Sequence, residues 1–305
     1  MSSGSNPLAN VASKTVIVTG GAGGIGAATA RVFNSNGSNV VIADIPAAEA
    51  AAGDLISSFP HPEKAMFIAV DILNWQQMLH LFEETVKRFG SIDTVVANAG
   101  IMEKTDTLDI DSTDKQGNLL ESRSAFNVID VNIKGTLNTL RLALHYMKTP
   151  PNTPRSRKSV VLVASTSGYF GGTGVSAYVS SKHAIIGLLR SSHATAAKYG
   201  VTITGVAPFF TYTNITAKAG KQWQADGLTP NTTEDVGTAI ALSSVEGESG
   251  NCILVAGPHR KEMEASRSAV MPQWIGQDIV DFFGNAFRII SSSGGYNLPK
   301  AGSKI

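Results

Sequence analysis

Two side chains in the second half of the chain have the types and spacing needed for proton transfer. Tyr178 and Lys182 are four positions apart, so on a helix they project from the same face. A free tyrosine has a pKa near ~10 and is a poor base at neutral pH, but a fixed ammonium one turn away stabilises the phenolate and lowers that pKa. The pair therefore predicts a tunable proton donor and acceptor.

A serine lies close enough in sequence to join such a site. Ser165 follows an apolar run and stands 13 residues before Tyr178. At the end of a strand, its hydroxyl can hydrogen-bond to the oxygen of a carbonyl or alcohol substrate. His183 is adjacent to Lys182 but points to another side of the helix, and we interpret it as structural.

A glycine-rich turn near the N-terminus has the composition of a phosphate-binding loop. Gly20, Gly24, Ile25 and Gly26 lie between a β-branched apolar run and an Ala-rich run with helical spacing. Glycines let the backbone approach a pyrophosphate, and the N-terminus of the following helix offers free N–H groups. The glycines fit two spacings, with Gly23 or Gly24 in the middle, so the turn alone leaves the lineage of the dinucleotide-binding protein open.

An acidic residue indicates which dinucleotide the turn would hold. Asp44 closes the second predicted strand, 18 positions after Gly26, where a carboxylate accepts hydrogen bonds from the adenosine ribose. A carboxylate there repels the additional phosphate of NADP, and no Arg or Lys occupies Gly23, Ile45 or Pro46 to accommodate it. The sequence therefore predicts NAD as the cofactor.

The elements that must position these residues follow from hydrophobic periodicity. Apolar runs alternate with segments of helical spacing, which is typical of βαβ units and a parallel sheet covered on both faces. The predicted strands are 15–19, 40–43, 66–70, 92–97, 160–163, 201–206 and 252–256, and the predicted helices are 24–36, 47–58, 75–89, one ending near 147, 176–199 and 234–243. The fold class is thus a Rossmann-type doubly wound parallel sheet of about seven strands. Ligands bind outside the carboxyl ends of such strands, where Gly20, Asp44, Asn98 and Ser165 all fall.

Composition excludes several functions. The chain of 305 residues has 25 Lys+Arg against 24 Asp+Glu, which gives no basic surface for nucleic acid. No run of about 18 apolar residues is present, so we expect no membrane span, and we predict no metal site. The single cysteine, Cys252, suits a reducing compartment. We expect a cytoplasmic protein, with a peroxisomal alternative because the last residues, Ser303-Lys304-Ile305, approach the Ser-Lys-Leu signal.

Taken together, these motifs resemble the short-chain dehydrogenase/reductase family over roughly residues 13–257. The resemblance is carried by Thr19-Gly20-x-x-x-Gly24-Ile25-Gly26, Asp71, Asn98-Ala99-Gly100, Asn132-Ile133-Lys134-Gly135, Ser165 and Tyr178-x-x-x-Lys182. Each motif alone is common, whereas all of them in this order are highly specific.

The resemblance implies a role for each matching residue. Tyr178 would be the general acid and base, and Lys182 would bind the nicotinamide ribose and lower the pKa of Tyr178. Ser165 would orient the substrate oxygen, and Asn132 would hold a water that links Lys182 to solvent. The cofactor would also contact the adenine-pocket residues Asp71 and Ile72 and the strand-end residues Asn98, Ala99 and Gly100.

The chain departs from the family pattern after the sixth predicted strand. The family usually has Pro-Gly there, whereas this chain has Pro208 followed by Phe209. A phenylalanine does not adopt positive φ cheaply, so we expect a rerouted backbone, and we retain Pro208, Thr211 and Thr213 as cofactor contacts. Aromatic side chains nearby either wall an apolar substrate pocket or belong to the core; the candidates are Tyr169, Phe210, Tyr212 and Trp223.

The remaining segments are interpreted from their composition. Residues 1–257 form the catalytic domain, with a substrate loop at about 208–232, and residues 258–305 form a C-terminal extension. In that extension, residues 274–290 are a helix-like run that suits packing, a subunit interface, a substrate lid or a membrane surface. Residues 103–124 are acidic and polar and are interpreted as a surface insertion.

The predicted function is hydride transfer between NAD(H) and a secondary alcohol or ketone, with a lipophilic, ring-containing substrate. We expect a homodimer or homotetramer. Two alternatives stay open: an NAD-retaining epimerase or dehydratase of the same superfamily, and a non-enzymatic NAD-sensing scaffold.

Overall fold

A central sheet organises the computed structural model, which describes residues 7–149, 156–213, 223 and 225–292. Its eight strands have the order β3-β2-β1-β4-β5-β6-β7-β8. They are β1 Thr15–Thr19, β2 Asn39–Asp44, β3 Ala65–Ala69, β4 Thr94–Ala97, β5 Lys158–Val163, β6 Val201–Pro208, β7 Cys252–Ala256 and β8 His259–Glu262. The pairs from β3 through to β7 are parallel, which confirms the predicted doubly wound α/β fold.

The central strands form because their apolar residues are buried on both faces. All five residues of β1 are buried. Ile17 belongs to the hydrophobic cluster on one side of the sheet, and its neighbours Val16 and Val18 belong to the cluster on the other side. The additional strand, β8, has the sequence His-Arg-Lys-Glu, so no apolar run predicts it.

Seven helices of the described residues cover the two faces of the sheet. They are α1 Gly24–Ser35, α2 Glu49–Ser57, α3 Trp75–Phe89, α4 Arg123–Ile129, α5 Thr136–Met147, α6 Ser176–Lys198 and α7 Thr233–Glu246. Two more helices follow in the chain, α8 Met263–Ile275 and α9 Gln277–Ser292. A π-helix, Asp130–Gly135, joins α4 to α5. Neighbouring residues determine both ends of α3. At its start, the Asn74 side chain accepts hydrogen bonds from two backbone N–H groups, and at its end Gly90 adopts a φ of 81°.

The strand order reverses beside β1, and this reversal determines where a ligand can bind. β1 pairs with β2 on one side and with β4 on the other. The connections that leave the carboxyl ends of β1 and β4 therefore diverge and open a crevice between them. Gly20 follows β1, Asn98 follows β4 and Ser165 lies just beyond β5, so the sheet brings these predicted residues to one edge.

The chain divides into two compact units, residues 1–261 and residues 262–305. In the second unit, α8 and α9 are separated at Gly276, which has φ 89°. The predicted helical run from residue 274 is therefore interrupted at Gly276 and continues as α9. The Ser303-Lys304-Ile305 tail lies outside the described residues. Within the described part of the chain, no helix is long and apolar enough to cross a membrane.

Candidate active site

The glycine-rich turn has the backbone shape that a dinucleotide requires. Gly20 and Gly24 have φ values of 62° and 52°, a region that favours glycine. A Cβ at Gly26 would overlap the carbonyl oxygen of Gly20. At the N-terminus of α1, Gly23 provides no side-chain cap, and the space that its Cβ would occupy is open. The cradle therefore fits a pyrophosphate, which the N–H groups at the start of α1 would bind.

The segment after β4 holds this turn in place. The Asn98 Nδ2 donates to the carbonyl oxygens of Thr19 and Gly20, at 3.0 Å each. The backbone N–H groups of Asn98 and Ala99 donate to the Thr19 hydroxyl at 3.1 and 3.2 Å. Gly100 lies against Asn132, whose Oδ1 would be 3.2 Å from an added Cβ. Asn98, Ala99 and Gly100 thus link the glycine turn to the π-helix that carries Asn132.

Asp44 lies at the carboxyl end of β2, against the turn. Its Oδ2 accepts the Ala22 N–H at 3.0 Å and its Oδ1 accepts the Ile45 N–H at 2.8 Å. A carboxylate oxygen has two lone pairs, so both oxygens can still accept a ribose hydroxyl. Its contact with a ribose stays a prediction.

The adenine-pocket candidates follow β3 and differ in their surroundings. Asp71 is exposed, and its Oδ1 accepts the Leu73 N–H at 2.9 Å. Ile72 is buried, and its side chain packs where a Cβ at Gly135 would stand. Of these two candidates, Asp71 is therefore the one whose side chain is exposed to solvent.

Ser165, Tyr178 and Lys182 are brought together by β5 and α6. Ser165 caps the short 3-10 turn Thr166–Gly168, and its Oγ accepts the Ser167 N–H at 3.1 Å. The Ser165 hydroxyl also acts on the Tyr178 phenol and lowers its pKa. The Lys182 Nζ donates to the Val163 carbonyl oxygen at 2.9 Å and lies 5.6 Å from the centre of the Tyr178 ring.

Burial dominates the electrostatics of this cluster. It raises the pKa of Tyr178, whereas the hydrogen bond from Ser165 lowers the pKa and the charge of Glu103 raises it further. Burial lowers the pKa of Lys182 to about 8, because the ammonium is out of contact with water. Lys182 is still mostly protonated at neutral pH, so its positive charge is available to a phenolate.

Asn132 lies on the π-helix and is buried. Its Nδ2 donates to the Ile101 carbonyl oxygen and to the Ser181 hydroxyl, at 2.9 Å each, and its Oδ1 accepts the Ile101 N–H at 2.8 Å. Both side-chain N–H groups are thus used within the protein. The asparagine ties the segment after β4 to the catalytic face of α6, and its predicted link to a water stays a prediction.

The loop after β6 places its two threonines differently. The Thr211 hydroxyl donates to the Phe209 carbonyl oxygen at 3.0 Å and is buried within the loop. The Thr213 methyl group lies 3.6 Å from the position of a Cβ at Gly24. Thr213 therefore lies against the glycine turn, as a cofactor contact requires, while Thr211 stabilises the loop.

The aromatic candidates separate into two groups. Phe210 stacks on Trp223 at 4.5 Å, and Phe209 meets the same indole edge-on at 5.2 Å. Tyr212 is exposed. Tyr169 instead lies under the Arg190 guanidinium and packs against the main core. Among the described residues other than glycine, only Ser13 has a positive φ, so Phe209 is accommodated with negative φ.

Two residues that sequence reasoning missed hold this site together. Buried Asn231 donates to the Val255 carbonyl oxygen at 2.9 Å and accepts the Gly257 N–H at 2.6 Å, which joins the loop to the end of β7. Glu103 accepts hydrogen bonds from the first turn of α6. Neither belongs to a motif, although Thr232-x-x-Asp235 beside Asn231 is a capping box that marks the start of α7. The described residues contain no group of three or more His, Cys, Asp or Glu side chains suited to a metal ion.

Known proteins match this chain over most of its length. The family model described as short chain dehydrogenase matches residues 14–224. "Short-chain dehydrogenase/reductase prx4" from Penicillium roqueforti is 31% identical over 86% of this chain and 80% of its own length. "Short-chain dehydrogenase reductase 5" from Arabidopsis thaliana is 32% identical over 67% of this chain and 73% of its own length.

A solved structure supports the fold independently. The crystal structure of a dehydrogenase/reductase from Sinorhizobium meliloti 1021 superposes with a TM-score of 0.67 and 23% identity, covering 82% of this chain and 97% of that one. The family match over residues 14–224 and the relatives above 30% identity identify the chain beyond its fold. The protein belongs to the short-chain dehydrogenase/reductase family of oxidoreductases.

Proposed function

We propose that this enzyme oxidises a secondary alcohol to a ketone, or catalyses the reverse reaction, with NAD(H) as the cofactor. The observation that carries the proposal is the cluster of Ser165, Tyr178 and Lys182 at the same edge of the sheet as the glycine turn. The Ser165 hydroxyl lies close enough to the Tyr178 phenol to lower its pKa, so a substrate oxygen placed between the two side chains can interact with both.

In the oxidative direction, Tyr178 acts as the base. Its phenolate accepts the proton of the substrate hydroxyl, while the Ser165 hydroxyl fixes the substrate oxygen. The Lys182 ammonium, 5.6 Å from the ring centre, stabilises the phenolate. Bound NAD would accept the hydride from the substrate carbon. Asn132 holds the α6 face through its hydrogen bond to Ser181.

The residues around the turn favour NAD. Members of the family typically use NAD or NADP. The Asp44 carboxylate lies where the adenosine ribose would bind, and an additional phosphate there would be repelled. Gly20, Gly24 and Gly26 accommodate the pyrophosphate, and Thr213 lies beside them.

The loop after β6 supports a lipophilic substrate. The Ser165 hydroxyl lies 3.5 Å from the carbonyl oxygen of Pro208. Phe209 is the next residue in the chain, so the aromatic residues follow directly after a residue that contacts Ser165. Phe209, Phe210 and Trp223 form an aromatic cluster, and flat apolar surfaces of this kind suit a ring-containing substrate.

The experiment that tests the reaction is NAD-linked turnover across a panel of alicyclic and aromatic secondary alcohols, with NADP in parallel. Net NADH formation supports a dehydrogenase over an NAD-retaining epimerase and over a non-enzymatic scaffold. A preference for NADP would contradict the role of Asp44.

We propose further that the enzyme is a cytoplasmic homodimer or homotetramer. Phe126 on α4 and Leu137 on α5 are apolar and exposed, which suits a subunit interface. Cys252 is buried and is the single cysteine of the sequence, which suits a reducing compartment. Light scattering tests the assembly, and a fluorescent fusion that leaves the C-terminus free separates cytoplasm from peroxisome.

A further inference from the structure

The helix that carries Tyr178 begins without a cap of its own. The residue before α6, Val175, has no side chain that can accept a hydrogen bond from the first turn. A helix leaves its first N–H groups without partners inside the helix. In α6, the N–H groups of Ala177 and Tyr178 donate instead to Glu103, at 3.0 and 3.1 Å. The cap therefore comes from a residue 75 positions before Tyr178.

Glu103 uses both carboxylate oxygens for this contact. Oε1 accepts the Ala177 N–H and Oε2 accepts the Tyr178 N–H, so the carboxylate spans two successive peptide groups. Hydrogen bonds from N–H groups to a carboxylate are stronger than those to a neutral acceptor, and a negative charge at a helix N-terminus is favourable. The contact fixes the backbone of Tyr178 itself and not merely the helix as a whole.

The segment that carries Glu103 is itself held on both sides. Two positions earlier, both backbone polar groups of Ile101 bond to the Asn132 side chain. One position later, the Lys104 N–H donates to the Ser124 hydroxyl at 2.8 Å. The Thr107 hydroxyl donates to Glu103 Oε1 at 3.3 Å. The carboxylate is thus a short bridge between the end of β4 and the start of α6.

We propose that Glu103 is a positioning residue for the reaction, which holds Tyr178 in register with Ser165 and Lys182 by capping α6 from the segment after β4. The inference rests on the proposed role of Tyr178 as acid and base. It gives the first part of the acidic segment 103–124 a role beyond that of a surface insertion.

The charge of Glu103 also acts on the phenol of Tyr178. Two charged side chains face Tyr178 within the described residues: the Glu103 carboxylate from the segment after β4 and the Lys182 ammonium from α6 itself. The 3-10 turn after β5 contributes the neutral hydroxyl of Ser165, and α4 contributes the apolar Ala125 and Val128. Glu103 raises the pKa of Tyr178, so removing its charge should let Tyr178 ionise at lower pH.

The test compares Glu103→Gln and Glu103→Ala with a matched control, Glu121→Gln. The control makes the same change in the same segment, but on an exposed carboxylate that lies 4.0 Å from Arg123. The apoprotein is titrated by tyrosinate absorbance, and the signal of Tyr178 is the difference from a Tyr178→Phe protein. We expect Glu103→Gln to move the Tyr178 midpoint to lower pH, and Glu121→Gln to leave it unchanged. An unchanged midpoint in Glu103→Gln would overturn the proposal.

Kinetics supply the second measurement. We expect Glu103→Ala to lower kcat about tenfold, as loss of a helix cap allows, with KM for NAD within about twofold of the parent value because the glycine turn is untouched. Glu103→Gln keeps one acceptor and should retain more of kcat than Glu103→Ala. Parental kcat in a folded Glu103→Ala protein would contradict the positioning role.

The two readouts separate this inference from the proposed function. If Tyr178 is not the acid and base, Tyr178→Phe keeps its turnover, yet Glu103→Gln still shifts the tyrosinate midpoint. If Glu103→Ala does not fold, the titration and kcat of Glu103→Gln decide, since this variant conserves the shape of the side chain.

Discussion

At the scale of single residues, the site depends on charges that are held away from water. Lys182 has almost no exposed surface, and burial lowers its pKa to about 8 from an ordinary value of 10.5. In the proposed reaction its ammonium stabilises the phenolate of Tyr178, and its burial costs folding free energy, because the unfolded chain solvates the same charge. An active site of this kind trades stability for function.

This trade predicts how stability changes with pH. Between about pH 8 and 10.5 the unfolded chain binds a proton at Lys182 that the folded apoprotein has lost, so the free energy of unfolding should rise with pH over this window. Below pH 8 both states hold the proton and the full cost persists. Between pH 8 and 10.5, the unfolding free energy of the parent should rise by up to about 3 kcal/mol relative to that of the Lys182→Met protein. Urea unfolding at a series of pH values measures the difference, and parallel curves would contradict the prediction.

A second residue-scale prediction concerns the choice of nucleotide. Asp44→Ala removes the carboxylate at the end of β2, so NAD should lose a hydrogen-bond partner and NADP should lose a repulsion. We expect the ratio of kcat/KM for NAD to that for NADP to fall about tenfold or more. The control is Asp54→Ala, which changes an exposed aspartate on α2. An unchanged ratio in Asp44→Ala would show that Asp44 does not determine the choice between NAD and NADP.

At the scale of elements, single long-range contacts fix the loops that carry function. Asn231 is the clearest example, since its side chain joins the start of the loop after β6 to Val255 and Gly257. We expect Asn231→Ala to lower the free energy of unfolding by about 2 kcal/mol, because the Gly257 N–H loses its acceptor and the Val255 carbonyl oxygen loses one of its donors. KM for the alcohol should also rise, since Phe209 and Thr211 are bonded to the same amide.

The control for Asn231 is another asparagine of the same region. Asn251 bonds through its backbone, to Glu248 and Gly205, so Asn251→Ala should leave both quantities near their parental values. Equal effects of the two substitutions on unfolding and on KM would mean that the Asn231 amide has no special role.

The same scale explains what could be predicted from the sequence. Strands such as β1 and β7 are apolar runs bounded by polar residues and glycine, so local pattern determines them, and the glycine turn is a local motif as well. β8 is polar and forms only at the edge of the sheet. The π-helix at Asp130–Gly135 has no signal in its sequence, and Glu103 meets α6 through partners about 75 positions away. Contacts between distant segments determine these features, and single-sequence periodicity does not report them.

At the scale of the whole molecule, we propose that the exposed apolar residues of α4 and α5 lie at a subunit interface. The Phe126 side chain is 57% exposed, whereas aromatic side chains are usually buried in a core or an interface. We expect Phe126→Arg to shift the protein towards a smaller species, because a buried interface does not readily accept an unpaired charge. Light scattering measures the change. Tyr199→Arg, at the far end of α6, is the control, and an unchanged mass for Phe126→Arg would exclude α4 from the interface.

We propose that Tyr178, supported by Ser165 and Lys182, transfers the proton in an NAD-dependent oxidation. The most direct test is the initial rate of NADH formation from a secondary alcohol by the parent and by Tyr178→Phe, with NAD binding measured on both. We predict that the parent forms NADH and that Tyr178→Phe loses about 100-fold or more in kcat while NAD binding stays within a small factor. Retention of most of the turnover by Tyr178→Phe, with NAD bound as before, would contradict the account.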